Sequence, residues 1–103
     1  MLHVIVTMRI KEGQMQGFLA ACAELRPLVL REPGCQAYEY TRDVVSPFGE
    51  PRPVEADRIT LLERWESMEA LKAHLATPHM KAAGAKMKDM RASVELQLTE
   101  SLF

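Results

Sequence analysis

The stretch LERWESMEALKAHLATPHM, Leu62–Met80, decides how this chain is read. Its first residues end an alternating run that starts at Arg58, and from Ser67 onward the apolar period becomes helical. Ser67 is a suitable N-cap, because its hydroxyl can accept an orphan amide, and Glu69 places an anion in the first turn, where the helix dipole favours one. Met68, Leu71 and Leu75 then form one apolar stripe. Thr77 and Pro78 restart the helix, Thr77 as cap and Pro78 at the first position, where its missing amide costs nothing. A strand running into a helix in two pieces is predicted, and the same stretch holds Trp65, His74 and His79.

Working outward, Leu2–Ile10 is rich in β-branched residues and predicts a strand, with Leu2, Val4, Val6, Met8 and Ile10 on its apolar face. Helical spacing follows through Phe18, Cys22, Leu25 and Val29. Pro27 is expected to kink that helix, with a break there as the competing reading, and Pro33–Gly34 stop it. Residues 36–42 form a short strand with Tyr38, Tyr40 and Arg42 on one face. Arg58–Trp65 places Ile59, Leu61, Glu63 and Trp65 on one face and Thr60, Leu62 and Arg64 on the other. Between them, four residues of Pro or Gly in 43–57 exclude a regular element; that segment either covers a pocket or is an extended hairpin. A last strand is expected to be cleanly half buried through Val94, Leu96 and Leu98.

The resulting order is the split βαβ plan of the ferredoxin-like α+β class, a four-stranded antiparallel sheet with helices on one face, filling 1–103 as one domain. Apolar or aromatic residues occur on part of each side of every strand, so the helix-free face calls for cover, and a homodimer with sheet facing sheet is expected.

Composition limits the function. Lys plus Arg number 13 against 14 Asp plus Glu, which gives no electrostatic case for nucleic acid or an anionic membrane surface. The basic run from Lys81 to Arg91 reads as the wet face of a helix. No run of apolar residues is long enough to span a bilayer, and Arg9 comes too early for a signal-peptide core, so the cytoplasm is the expected location. Cys22 and Cys35 suggest neither a disulfide framework nor a metal signature; a reduced pair is expected. Phosphate loops and zinc motifs are absent, and His74 and His79, separated by Pro78, do not share a regular helical face.

The remaining candidates each have a bland reading beside a chemical one. Trp65 is either a core plug or the flat wall of an aromatic-ligand pocket with an N–H to offer. His74 is either a helix-flank histidine or a pocket acid or base, and His79, in the first turn of the last helix, is either a wet residue or a neutral donor or acceptor. Glu63 shares the Trp65 face. Tyr38 and Tyr40 add polar aromatics, and Arg42 and Arg64 are possible anchors for a ligand oxygen.

Two stretches carry a family likeness. EPGCQAYEY and ITLLERWESMEALKAHLATPHMKA resemble the antibiotic biosynthesis monooxygenase superfamily, most closely its quinol monooxygenase branch, and the opening strand and VELQL fit the same pattern. The resemblance implies a homodimeric ferredoxin-like α+β barrel with a pocket in each subunit between sheet and helices. It further implies a cofactor-independent monooxygenase in which a quinol or related phenol loses a proton and its anion passes an electron to O₂, with no metal, flavin or haem. Carried over by position, Trp65, His74 and His79 are the implied catalytic groups, with Tyr38 and Tyr40 orienting the phenolic oxygens; Glu63, Thr7, Arg42 and Arg64 join them as expected substrate contacts on the reading of the residues. Haem-degrading relatives carry an asparagine where this chain has Val6, Thr7 and Met8, which lowers a haem reading. Pathway oxygenases of polycyclic aromatics carry one shortly before the tryptophan, where this chain has Leu61, Leu62, Glu63 and Arg64. The alternatives are an isomerase or degradative enzyme for a small phosphorylated signal molecule, with Arg9, Arg42 or Arg64 as its cationic groups, and a non-catalytic dimeric ligand-binding protein.

Overall fold

A computed structural model describes residues 1–49 and 51–103. In chain order the elements are β1 (Leu2–Ile10), α1 (Met15–Leu30), β2 (Cys35–Arg42), β3 (Arg58–Trp65), α2 (Met68–Leu75), α3 (Pro78–Met87) and β4 (Arg91–Glu100), with one 3₁₀ turn at Lys88–Met90 before β4. The caps expected from the sequence are made. Ser67 Oγ accepts from the Ala70 amide at 3.1 Å, and Thr77 Oγ1 accepts from the Met80 amide at 3.3 Å. Pro27 lies inside α1, which continues to Leu30 rather than breaking.

The strands form one antiparallel sheet in the order β2-β3-β1-β4. Its inward rows follow from the register: Tyr38, Glu63, Val4 and Leu98 lie side by side, and Tyr40, Leu61, Val6 and Leu96 form the next row. The core sits between these rows and α1, where Phe18, Cys22, Leu25 and Val29 are buried at the expected helical spacing. Each such large apolar side chain contributes about 1.5–3 kcal/mol on burial.

Three expectations need correction. The sheet is open and does not close into a barrel: β2 and β4 are its edges and are not paired with each other. Small filled barrels use about eight strands, twice what this chain supplies. Nor does the helix-free face carry an apolar surplus. It presents His3, Ile5, Thr7 and Arg9 of β1 beside Thr60, Leu62 and Arg64 of β3, and only Ile5 and Leu62 among these are large and apolar. The exposed apolar residues are instead on the inward face of β4, where Val94, Leu96 and Leu98 are 47, 60 and 42% exposed, so β4 is not half buried. The reason is lateral: β4 is an edge strand, and α1 makes its main sheet contacts with β2 at the opposite edge.

The 43–57 connection contains no helix or strand among its described residues; residue 50 lies outside them. Its base is clamped, with Asp43 Oδ2 accepting from Arg58 Nη2 at 2.6 Å and from the Glu55 amide at 3.0 Å. The Arg58 guanidinium holds the Asp43 carboxyl below the usual carboxylate range.

The turn from α1 into β2 packs closely against α2. Gly34 has φ +84°, and a Cβ added there lies 2.6 Å from Ala70 Cβ on α2. The Glu66 amide donates to the Gly34 carbonyl at 2.9 Å, so the turn is fastened to the β3–α2 connection. Replacing Gly34 with Ala is therefore expected to cost about 2–4 kcal/mol from backbone strain plus overpacking. Urea unfolding checks this, and a loss below about 1 kcal/mol contradicts so close an approach.

Candidate active site

The inward face of β3 places Glu63 and Trp65 two residues apart, on the same side of a strand that is central in the sheet. Trp65 is fully buried, and its Nε1–H donates to Glu63 Oε1 at 2.9 Å. The second Glu63 oxygen accepts no hydrogen bond among the described residues. Tyr38 of β2 is the register partner of Glu63, and the Tyr40 hydroxyl donates to the Tyr38 hydroxyl at 3.3 Å.

The last turn of α2 lays His74 over this surface. Its ring centroid is 4.6 Å from that of Trp65 at an interplanar angle of 37°, and 5.8 Å from that of Tyr38. His74 Nδ1 lies 3.0 and 2.9 Å from the two oxygens of Glu32, and Nε2 is 3.9 Å from Glu63 Oε1. A carboxylate can only accept, so the Glu32 contact puts an imidazole proton on Nδ1 and turns Nε2 toward Glu63. Glu32 also meets His79 Nε2 at 2.8 Å, and the His79 side chain is 25% exposed. His74, Glu32 and His79 are thus joined by hydrogen bonds from the interior to the surface, with Glu63 3.9 Å from the inner end of the line.

Beside that line is a cavity of about 250 Å³ between the inward face of the sheet and the helices. Its polar lining groups at this end are Glu63, His74, Tyr38 and Tyr40; Val6, Leu61, Phe18 and Met87 are among its apolar walls. It reaches β4, where the exposed inward residues leave it accessible from solvent. Gly84 of α3 also lines it, and a Cβ there meets nothing within 4 Å, so this glycine borders open space rather than close helix packing.

Electrostatics follow from burial. The Glu63 carboxyl is pushed above the model-compound value of 4.5, chiefly by desolvation; the Trp65 N–H and His74 oppose that rise and Glu32 adds to it. Burial also raises both tyrosines, and it pushes the Cys22 thiol up to about 11, which keeps these groups protonated near neutrality.

The structure brings together Trp65, His74, Glu63, Tyr38 and Tyr40, with His79 joined through Glu32. It separates the others. Thr7 and Arg64 point to the helix-free face, because they pair with Thr60 and His3 rather than with the Glu63 row. Arg42 shares the inward face but does not line the cavity, nor does Arg9, so the residues named for a phosphorylated ligand do not converge there. Trp65 lies behind Glu63 and His74 and is not itself a cavity wall. No described residue of 43–57 lines the cavity, so the pocket-covering alternative for that segment fails at this site.

Two residues were missed in the sequence. Glu32 carried a faint signal, since an anion just past a helix C-terminus opposes the dipole and asks for another partner. Arg91 gave none: it was read with the basic helix face, whereas it opens β4 and lines the cavity. Among the described residues no group of three or more His, Cys, Asp or Glu is arranged to hold a metal ion, and no helix is long and apolar enough to cross a membrane.

A buried glutamate with a raised pKa weakens the fold at neutral pH. The folded chain holds this proton more tightly than the unfolded chain, so stability falls as pH rises from about 4.5 through the raised value and is level beyond it. Glu63→Gln keeps an acceptor for Trp65 and removes the charge. It is expected to stabilise the protein by about 0.5–2 kcal/mol at pH 8 and to leave it unchanged at pH 4, measured by denaturant unfolding at both. A variant less stable than the parent at pH 8 contradicts this.

A family model described as "Antibiotic biosynthesis monooxygenase" matches residues 1–86. The "Probable quinol monooxygenase YgiN" of Escherichia coli (strain K12) is 39% identical over 90 residues, covering 85% of this chain and 86% of that protein. Among solved structures, a Caulobacter crescentus CB15 protein superposes with a TM-score of 0.85 at 28% identity, covering 99% of this chain and 90% of that one. A Nitrosomonas europaea protein, at 20% identity and complete coverage of both chains, gives 0.84 and shows the shared fold alone. Matched by the family model over most of its length and by a relative above a third identical, this chain belongs to the antibiotic biosynthesis monooxygenase family.

Proposed function

We propose that this protein is a monooxygenase that oxidises a quinol or related phenol with O₂, using neither metal nor flavin. The observation that carries the reading is Glu63: a carboxyl with one oxygen fixed by Trp65, facing a largely apolar cavity beside His74. The match to a relative named as a quinol monooxygenase supports the substrate class.

The reaction asks for three things of the protein. A proton acceptor must sit within reach of the substrate hydroxyl, and Glu63 is poised for this because its raised pKa brings it nearer to the working pH. Water must be kept from the reacting ring; the apolar walls do this at the buried Glu63 end, away from the opening at β4. The proton must then leave: a closing of the 3.9 Å gap between Glu63 and His74 Nε2 hands it to His74, from which the hydrogen bonds to Glu32 and on to His79 lead to the surface. Glu63 and His74 are the groups that meet the substrate. Trp65 positions Glu63, and Glu32 positions His74.

Deprotonation makes the ring a better electron donor, and the anion reduces O₂. For a quinol the balance is simple: one oxygen atom enters a ring carbon, and the other leaves as water with two hydrogens given up by the substrate. The product is a hydroxyquinone. The substrate is the sole reductant, so no outside electron source is needed.

Oxygen uptake with chemically reduced naphthoquinone, corrected for autoxidation without protein, tests the reading. Glu63→Gln is expected to lower the protein-dependent rate about 10²- to 10⁴-fold while remaining folded. Trp65→Phe removes the N–H that holds the Glu63 pKa down, so the rising limb of its rate–pH profile is expected to move to higher pH. Parent-like rates for Glu63→Gln remove Glu63 from the role, and no protein-dependent uptake with any reduced quinone or phenol removes the function.

A further inference from the structure

We propose that Arg91 forms an anion subsite in the cavity, so that the preferred ligand is a phenol or quinol carrying a carboxylate remote from the hydroxyl that ionises. The proposal rests on the phenol-oxidising reading for the Glu63 end and adds a second recognition element at the other.

Three observations converge on Arg91. It lines the cavity. Its Nε is buried and has no hydrogen-bond partner, and among the described residues Arg91 makes no ion pair. A buried, unsatisfied guanidinium nitrogen is uncommon and calls for an explanation, of which an absent ligand is one. The third observation is how the side chain comes to be there. The β1–β4 register pairs Arg9 with Ser93 and then Ile10 with Arg91, skipping one residue of β4. Regular alternation from Val94, which faces inward opposite Met8, would turn Arg91 to the helix-free face. The irregularity at Arg9/Ile10 reverses it and aligns Arg91 with the buried Ile10. Bulges re-aim side chains in this way.

Among the described residues that line the cavity, no carboxylate lies beside Arg91. Cys22 is close enough to feel the Arg91 charge, yet burial keeps its thiol protonated, and burial does the same for Tyr40, which also lines the cavity. The cavity's one carboxyl, Glu63, belongs to the Val4 row, six residues along β1 from Ile10, about 20 Å by strand rise. The two charged groups therefore mark different ends of an apolar space. A guanidinium recognises a carboxylate through its planar fork, which matches the two oxygens. At about 250 Å³ the cavity suits one or two fused rings between them.

Binding of two non-oxidising probes under anaerobic conditions, followed by calorimetry at pH 7, tests this without turnover. They are 6-hydroxy-2-naphthoate, which has hydroxyl and carboxylate at opposite ends, and 2-naphthol, which lacks the carboxylate. The parent protein is expected to bind the naphthoate at least about tenfold more tightly, the scale of one charge-assisted contact. Arg91→Met is expected to bring that ratio to about one; Arg91→Gln replaces it if circular dichroism shows the Met variant unfolded. Equal binding by the parent, or a preference that survives in the folded variant, overturns the subsite and leaves the phenol reading standing. Binding of neither probe overturns both.

Discussion

The hydrogen bond from Trp65 Nε1 to Glu63 is the contact on which this site depends. A carboxyl on the inward face of a central strand is costly, because it loses water without gaining a cation. Here the fully buried indole supplies one fixed donor, and His74 stacks over the same ring with Nε2 toward the carboxyl. One oxygen is thereby held and the group still faces the cavity. The same burial that makes Glu63 a poor structural residue raises its proton affinity, which is what the proposed base requires.

The fold positions this pair through contacts outside the cavity. Gly34 lets the chain turn sharply enough after α1 for Glu32 to reach under α2, where it meets both histidines. The Arg26 Nε–H donates to the Tyr38 carbonyl at 2.7 Å, tying α1 to β2 beside the same site. The open edge at β4 leaves one side of the apolar space accessible. Turn, helix and edge strand each contribute something the central strand cannot: a carboxylate, an imidazole and an entrance.

Much of the architecture was legible in the residues. Alternation marked β1, β3 and β4, and Ser67, Thr77 and Pro78 marked the helix starts, because caps and periods are local properties. Trp65, His74 and Glu63 could be grouped for the same reason: two share a strand face and the third lies one helix later. What failed was long-range. The orientation of Arg91 depends on a pairing irregularity with β1, and the partner of His74 is 42 residues away at Glu32. The closed barrel failed because a count of strands does not say whether the edges meet, and the apolar face was assigned to the wrong side because edge position, not alternation, leaves Val94, Leu96 and Leu98 exposed. Thr7 and Arg64 were set aside only when register fixed their face.

Glu63 is a buried carboxyl whose proton affinity is set by its surroundings. The direct measurement is a carbon-13 NMR titration of the glutamate side-chain carboxyls, with the Glu63 signal assigned by its loss in Glu63→Gln. A midpoint above 4.5, moving further upward in Trp65→Phe, is the predicted result. A midpoint at or below 4.5, or one indifferent to the loss of the indole N–H, contradicts the account.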